Sequence, residues 1–424
     1  MPSPSFEFDP FPTTLYSAED LLQGFDPDKP SSYGKMHDTL IYREFVATGG
    51  AACTDYLTTM GRALHDNAIG QALAQTVPGD RIVAIMGGHA GARGDAVYED
   101  TARLASRLTT AGFTLASGGG PGIMEATHLG VAFAGDPGLE DALKEISAAG
   151  VPPAIPANAG RLVQADGAID TAIAGALGEY LAPAVRIMRS LGRTGGIGIP
   201  TWLYGHEPTT PFASSIAKYF QNSIREDGLL ALATNGIIYM PGGAGTLQEV
   251  FQDAAQNYYK TFPTGPGKTG EFSPMVFFGD FWTTKIRVRP VLKALFGKPA
   301  KAPDRNIGNE YEDWVRFLTD PDEVIAHLES FEARPAPGLE LMKANISLPA
   351  GNLLDDMLPG TVLVPAASWN SGQPYVTAYP DGPCYPPNQQ SNLARTSLTP
   401  VGGATNVPAC DNSGSMSAIR CAVH

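Results

Sequence analysis

The clearest pattern in the chain is a short apolar run, Ile82 to Met86 within RIVAIMGG, that ends in glycines and gives way to AVYEDTARLASRLTTAG. The second segment carries apolar residues at helical spacing, so a strand, a loop and a helix are expected. FTLASGGG repeats the arrangement with PGIMEATHLGVAFAG as its helix, and GGIGIPTWL, GIIYMPGG and SPMVFFGDFW each read as buried strands. Strands alternating with helices predict an α/β fold: a Rossmann-like parallel sheet with helices on both faces and right-handed crossovers. The pattern places this domain at residues 81–332.

The flanks differ. Residues 1–80 have a Pro-rich start and helix-like stretches at 54–65 and 69–75, and they predict a helical N-terminal extension without recognisable chemistry. Residues 333–424 form a C-terminal extension expected to be largely irregular: from Trp369 onward there is no lysine, and Pro, Ser, Gly and Asn dominate. Within the domain, a longer insertion runs from Gly135 to Arg193. Its Ala/Leu-rich run, Ile169 to Leu191, reads as a helix capping one side of the site. Arg186, Arg189 and Arg193 share a helical face there, as a second anion site or as a solvated surface.

Composition narrows the function. A formal net charge of −14 over 424 residues argues against a nucleic-acid partner, which needs clustered Lys and Arg. No apolar run reaches the roughly 18 residues that cross a bilayer, and MPSPSFEFDPFP lacks a basic segment followed by an apolar one. No membrane partner and a cytoplasmic location are therefore expected. Cys53, Cys384, Cys410 and Cys421 show no metal-ligand spacing; free thiols are expected, with a disulfide in the tail left open. Neither a metal nor a cofactor is implied.

The candidate chemistry lies in two glycine-rich turns between a strand and a helix. The first contains Gly118, Gly119, Gly120 and Gly122 and leads into a helix carrying Glu125. The second contains Gly242, Gly243, Gly245 and Thr246 and leads into a helix carrying Glu249. Glycine lets backbone approach a ligand closely, and unpaired amides at the positive end of a helix dipole attract an anion, with the Thr246 hydroxyl as a further donor. Gly87 and Gly88 end the first strand in the same way. Neither turn is a Walker A loop or a GxGxxG fingerprint with an acidic residue about 20 positions on.

PGGAGTLQE, together with SGGGPGIMEA and IMGGHAG, resembles the LOG family over residues 81–332. Its members are cytokinin riboside 5′-monophosphate phosphoribohydrolases and related nucleotide nucleosidases, often mislabelled lysine decarboxylases. NSIREDGLLALATNGIIYMPGGAGTLQEVFQDAAQNYY looks closer to the larger bacterial pyrimidine/purine nucleotide 5′-monophosphate nucleosidases. The resemblance implies a small-molecule partner, a nucleoside 5′-monophosphate, and hydrolysis of its N-glycosidic bond to free base and ribose 5-phosphate. It implies Arg225 and Glu249 as the catalytic pair, the glycines above with Thr246 and Glu125 as substrate contacts, and a homodimer or higher homo-oligomer.

Cleavage of an N-glycosidic bond develops positive charge on the ribose, so a carboxylate and a positioned water are needed; Glu249, one turn into its helix, suits both tasks. Arg225 has a planar fork for a phosphate or ribose hydroxyls, or simply pairs with Glu226 or Asp227. Glu125 is either a second site carboxylate or an exposed first-turn acid. His89 and His128 read as packing or polar-contact residues. No lysine sits in a pyridoxal context, which removes the decarboxylase reading. The alternative from another class is a non-catalytic nucleotide or cofactor carrier using the same PGGxGT anion site. Purine, pyrimidine and N6-substituted adenine bases all stay open.

Overall fold

The structure is a computed structural model that describes residues 6–77, 81–259, 273–296 and 311–331, with the backbone of 376–379 and 420–423. Its centre is an all-parallel sheet of β1 (Ile82–Met86), β2 (Thr114–Ser117), β3 (Ile197–Gly198), β4 (Ser215–Ile216), β5 (Ile237–Tyr239), β6 (Met275–Phe278) and β7 (Val315–Leu318). The spatial order is β4-β3-β2-β1-β5-β6-β7. The chain builds outward from β1 in one direction, then returns to its other side with β5. Between β1 and β5 lies the topological switch point, where open α/β sheets form a crevice at the carboxyl ends of their strands.

Around the sheet lie α1 (Ala18–Leu22), α2 (His37–Ala47), α3 (Tyr56–Thr76), α4 (Ala96–Thr110), α5 (Ile123–Ala132), α6 (Leu139–Ile146) and α7 (Thr171–Leu191). They are followed by α8 (Asn222–Leu232), α9 (Ala244–Tyr259), α10 (Phe281–Thr284), α11 (Val288–Phe296), α12 (Tyr311–Trp314) and α13 (Pro321–Glu329). Successive side chains of a strand point to opposite faces. Thus Ile82, Ala84 and Met86 pack with Leu229 of α8 and Val250 of α9, while Val83 and Ile85 pack with Leu104 of α4 and Leu328 of α13. Both faces are covered, which is why β1 is apolar throughout.

The boundary at residue 80 does not separate two cores. Leu21, Tyr33, Ile41 and Phe45 share an apolar cluster with Tyr98, Leu129, Leu177 and Val185, and α3 packs Ile69 and Leu73 beneath the sheet. Gly178 of α7 faces the Pro30 carbonyl so closely that a Cβ would sit 2.0 Å from its oxygen, so α7 and the N-terminal segment interlock. Tyr16 exchanges backbone hydrogen bonds with Ile216 and covers the edge that β4 would otherwise expose. Sequence periodicity missed β4 and β7: β4 is two residues long, and β7 is four residues long and buried only at its ends, Val315 and Leu318.

Helix ends follow local chemistry. The Asp170 carboxylate accepts the Ala172 and Ile173 amides at the start of α7, and Gly192, at φ +66°, ends it. The C-terminal extension, expected to be largely irregular, contributes an antiparallel pair, β8 (Val376–Tyr379) and β9 (Arg420–Val423), within a separate unit. Cys53 is a free thiol. The open question of a tail disulfide, involving Cys384, Cys410 and Cys421, lies outside the described side chains. No helix among the described residues is long and apolar enough to cross a membrane.

Candidate active site

A crevice of about 1010 Å³ opens at the switch point. Its walls come from the segments that follow β1, β2, β3, β4 and β5, and from α8. The two glycine turns are not on adjacent strands: β1 lies between β2 and β5, so Gly87 and Gly88 separate them.

The second turn starts α9. The first α-helical bond runs from the Leu247 amide to the Gly243 carbonyl, so the Ala244, Gly245 and Thr246 amides come before any helical partner is possible. Gly243 and Gly245 line the crevice, and a Cβ at either would meet nothing within 4 Å. Their missing side chains leave room for a ligand. Gly242 works differently: a Cβ there would lie 2.2 Å from Thr246 Oγ1, and its Cα backs onto Gly88. The Gly88 amide donates to the Pro241 carbonyl at 3.1 Å, which locks the ends of β1 and β5 together. Gly242 is thus a packing glycine, while Thr246 lines the crevice.

Part of the first turn packs against its neighbours. The Ile123 amide donates to the Gly88 carbonyl at 3.2 Å. Gly122, at φ +69°, abuts the Gly88 and His89 carbonyls, and Gly119, at φ +71°, abuts Pro200 and Gly198. Neither lines the crevice. Gly118 and Gly120 do, beside Gly87 and Gly88. Gly118 also makes room for Arg225, whose Nη2 would lie 2.3 Å from a Cβ.

Arg225 is a buried residue of α8. Its Nε donates to the Ile199 carbonyl at 2.7 Å, and Nη1 lies 3.5 Å from Glu249 Oε1. Glu226 instead accepts from Asn222 and Gln248, and Asp227 from Gln252. The surface pairing weighed for Arg225 is therefore not its role. Burial raises the Glu249 carboxyl from an ordinary 4.5 to about 7; Arg225 pulls it down and Glu226 pushes it up. A carboxyl that titrates near neutrality can accept a proton from water and release it again.

Glu125 does not belong to this group. It is fully buried and receives Arg93 Nε and Nη2 at 2.7 Å each, plus the Tyr98 hydroxyl at 2.8 Å. Arg93 Nη1 also donates to the Tyr180 carbonyl at 2.5 Å, and its backbone amide donates to Pro153. This knot ties α4, α5 and α7 to the 151–160 segment, whose Ala154, Ile155 and Pro156 line the crevice. The exposed-acid reading of Glu125 fails equally. The arginines of α7 and its end are paired as well: Arg186 with Asp28, Arg189 with Glu19 and Arg193 with Asp136. They stitch α7 to its neighbours and leave no free anion site on that face.

Several crevice residues escaped the sequence reading. Lys218 lines the crevice and is buried against Asp38 at 2.8 Å; Thr209 and the Trp202 indole also donate to Asp38. Residues 1–80, read as empty of chemistry, thus supply the counter-ion of a crevice lysine. His89, read as a packing or polar-contact residue, has a side chain 58% exposed and makes a polar contact, its Nδ1 3.4 Å from Glu207 Oε1. Glu207, on the loop after β3, belongs to no motif. A search for titratable residues just beyond each strand's carboxyl end is the signal that finds it. His128 behaves as read: burial lowers it from 6.5 to about 4, keeping a neutral ring whose Nδ1 is 3.3 Å from the Gly195 carbonyl.

Among the described residues no group of three or more His, Cys, Asp or Glu side chains is placed to hold a metal ion. No protein-family model matches this chain, and no curated protein matches it.

Proposed function

We propose that the chain is an N-glycosidase of nucleoside 5′-monophosphates, releasing free base and ribose 5-phosphate. The supporting observation is the meeting of Arg225 and Glu249 beside an open helix N-terminus in one crevice. The phosphate would be held by the α9 amides, with the Thr246 hydroxyl as a further donor. Arg225 would bind the sugar or phosphate through its remaining donors, and Glu249 would take a proton from the water that attacks C1′. A carrier needs the anion site but has no use for a buried carboxyl tuned to about 7, a state that burial makes energetically unfavourable when ionised. Activity in the cytoplasm as a homo-oligomer is part of the proposal.

Chromatography of AMP, GMP, CMP, UMP and N6-isopentenyl-AMP after incubation with the protein tests this. Base release from at least one member is expected. Tight binding without release from any of them would move the function to a carrier.

A further inference from the structure

Hydrolysis of an N-glycosidic bond needs a proton removed from water and a proton delivered to the departing base, and three carboxyls line the crevice: Glu249, Glu207 and Glu226, the last of them held by Asn222 and Gln248. Building on the nucleosidase reading, we infer that Glu207, paired with His89, protonates the base while Glu249 serves the water.

The other deeply buried acids are already engaged. Asp38 is held by Lys218, Trp202 and Thr209; Glu125 by Arg93 and Tyr98; Asp66 by the Phe220 and Gln221 amides; Asp253 by Tyr239 and Asn257. Glu207 lines the crevice, its side chain is 15% exposed, and among the described residues its ion pair is with His89.

Its place along the sheet suits a leaving base. The phosphate site follows β5, and the crevice extends from there past β1 and β2 to the loop after β3, with no wall from β6. A nucleotide anchored by its phosphate therefore points its sugar at the first glycine turn and its base towards β3. That turn is flanked on both sides. A Cβ at Gly118 would lie 2.3 Å from Arg225 Nη2, and one at Gly120 would lie 3.4 Å from Glu207 Oε2. Arg225 and Glu249 thus stand at the phosphate end and Glu207 at the base end.

When the C1′–N bond breaks, its electron pair goes to the base nitrogen, which takes the proton of the Glu207 carboxyl. The water oxygen bonds to C1′ and gives a proton to Glu249. Return of that proton through solvent resets the pair, and the products contain the nucleotide plus one water. Burial raises the Glu207 carboxyl, against the opposing charges of His89, Arg225 and Lys218 that face it. This favours a carboxyl that still holds a proton when substrate arrives.

A substrate whose leaving group needs no proton separates the roles. AMP and 4-nitrophenyl β-ribofuranoside 5-phosphate are compared on the full-length wild type, Glu207→Gln and Glu249→Gln, with AMP binding and thermal melting measured in parallel. Glu207→Gln should lose about 100-fold or more in kcat on AMP yet hydrolyse the nitrophenyl substrate near the wild-type rate. Glu249→Gln should lose both. Independently of any variant, the wild-type AMP profile should fall on the alkaline side and the nitrophenyl profile should not. Equal losses on both substrates by a folded, AMP-binding Glu207→Gln, no loss on AMP, or the same alkaline limb for both substrates would overturn the assignment. Release of base by wild type with any of those results overturns this inference alone. No release of either leaving group by wild type overturns the nucleosidase reading together with it.

Discussion

Arg225 Nη1 lies 3.5 Å from Glu249 Oε1, although most of a helix, a buried strand and a glycine turn separate the two residues in the chain. The contact is made possible by glycine: a side chain at Gly118 would occupy the space of the Arg225 guanidinium. Arg225 is in turn held by the Ile199 carbonyl at the end of β3. Three strand ends thus position one ion pair, and its loose spacing leaves donors of the guanidinium for a ligand.

This pair sets the pH dependence. Glu249 must be ionised to accept a proton, and burial places it at about 7, so on the acid side kcat/KM should fall about tenfold per pH unit below 7. Arg225 lowers the Glu249 carboxyl, so Arg225→Gln should move this acid limb to higher pH. Initial rates from pH 5 to 9 on both proteins check the direction. An unmoved limb would mean that another group controls it.

Beneath the site, Asp253 is fully buried, and burial raises its carboxyl from 3.8 to about 7 despite the Tyr239 hydroxyl bond. A folded-state value above the unfolded one means that the native state holds the proton more tightly. The stabilisation is complete below about 4 and is lost as pH rises through about 7. Asp253→Asn should flatten that decline, by an amount on the order of a few kcal/mol, in melting curves recorded across this window.

Neighbouring glycines in the second turn should respond oppositely. Gly242→Ala forces a methyl group to within 2.2 Å of Thr246 Oγ1 and should destabilise the fold by about 1 to 3 kcal/mol. Gly243→Ala meets no protein atom within 4 Å, so the melting temperature should hold while the methyl group intrudes on the anion site. A rise in KM of about tenfold is expected there, equivalent to about 1.4 kcal/mol.

Much of this was legible in the sequence because apolar runs ending in glycine carry their own signal. β1, β2, β5 and β6 follow from such runs, and the turn at Gly242–Thr246 follows from PGGAGT. What escaped depends on tertiary pairing. Glu125 reads as a site carboxylate until Arg93, from a loop earlier in the chain, is seen to consume it. Asp38 and Lys218 are far apart in the chain, so no local pattern joins them. Residues 6–77 look like an appendage because their apolar positions are completed by residues far along the chain, such as Tyr98, Leu129, Leu177 and Val185.

Breaking that hidden pair tests its structural role. Asp38→Ala leaves the Lys218 ammonium buried without its counter-ion and should cost about 3 to 5 kcal/mol in urea unfolding. Asp38→Leu combined with Lys218→Met should cost much less, because neither charge is then stranded.

Glu249 is proposed to do chemistry on a bound nucleotide. The most direct test incubates AMP with wild type and with Glu249→Gln, measures AMP affinity of each, and follows adenine and ribose 5-phosphate by chromatography. Both products are expected from wild type, and from Glu249→Gln a loss of about 100-fold or more in kcat with affinity largely kept. Equal turnover by the two proteins, or binding without products from either, would contradict it.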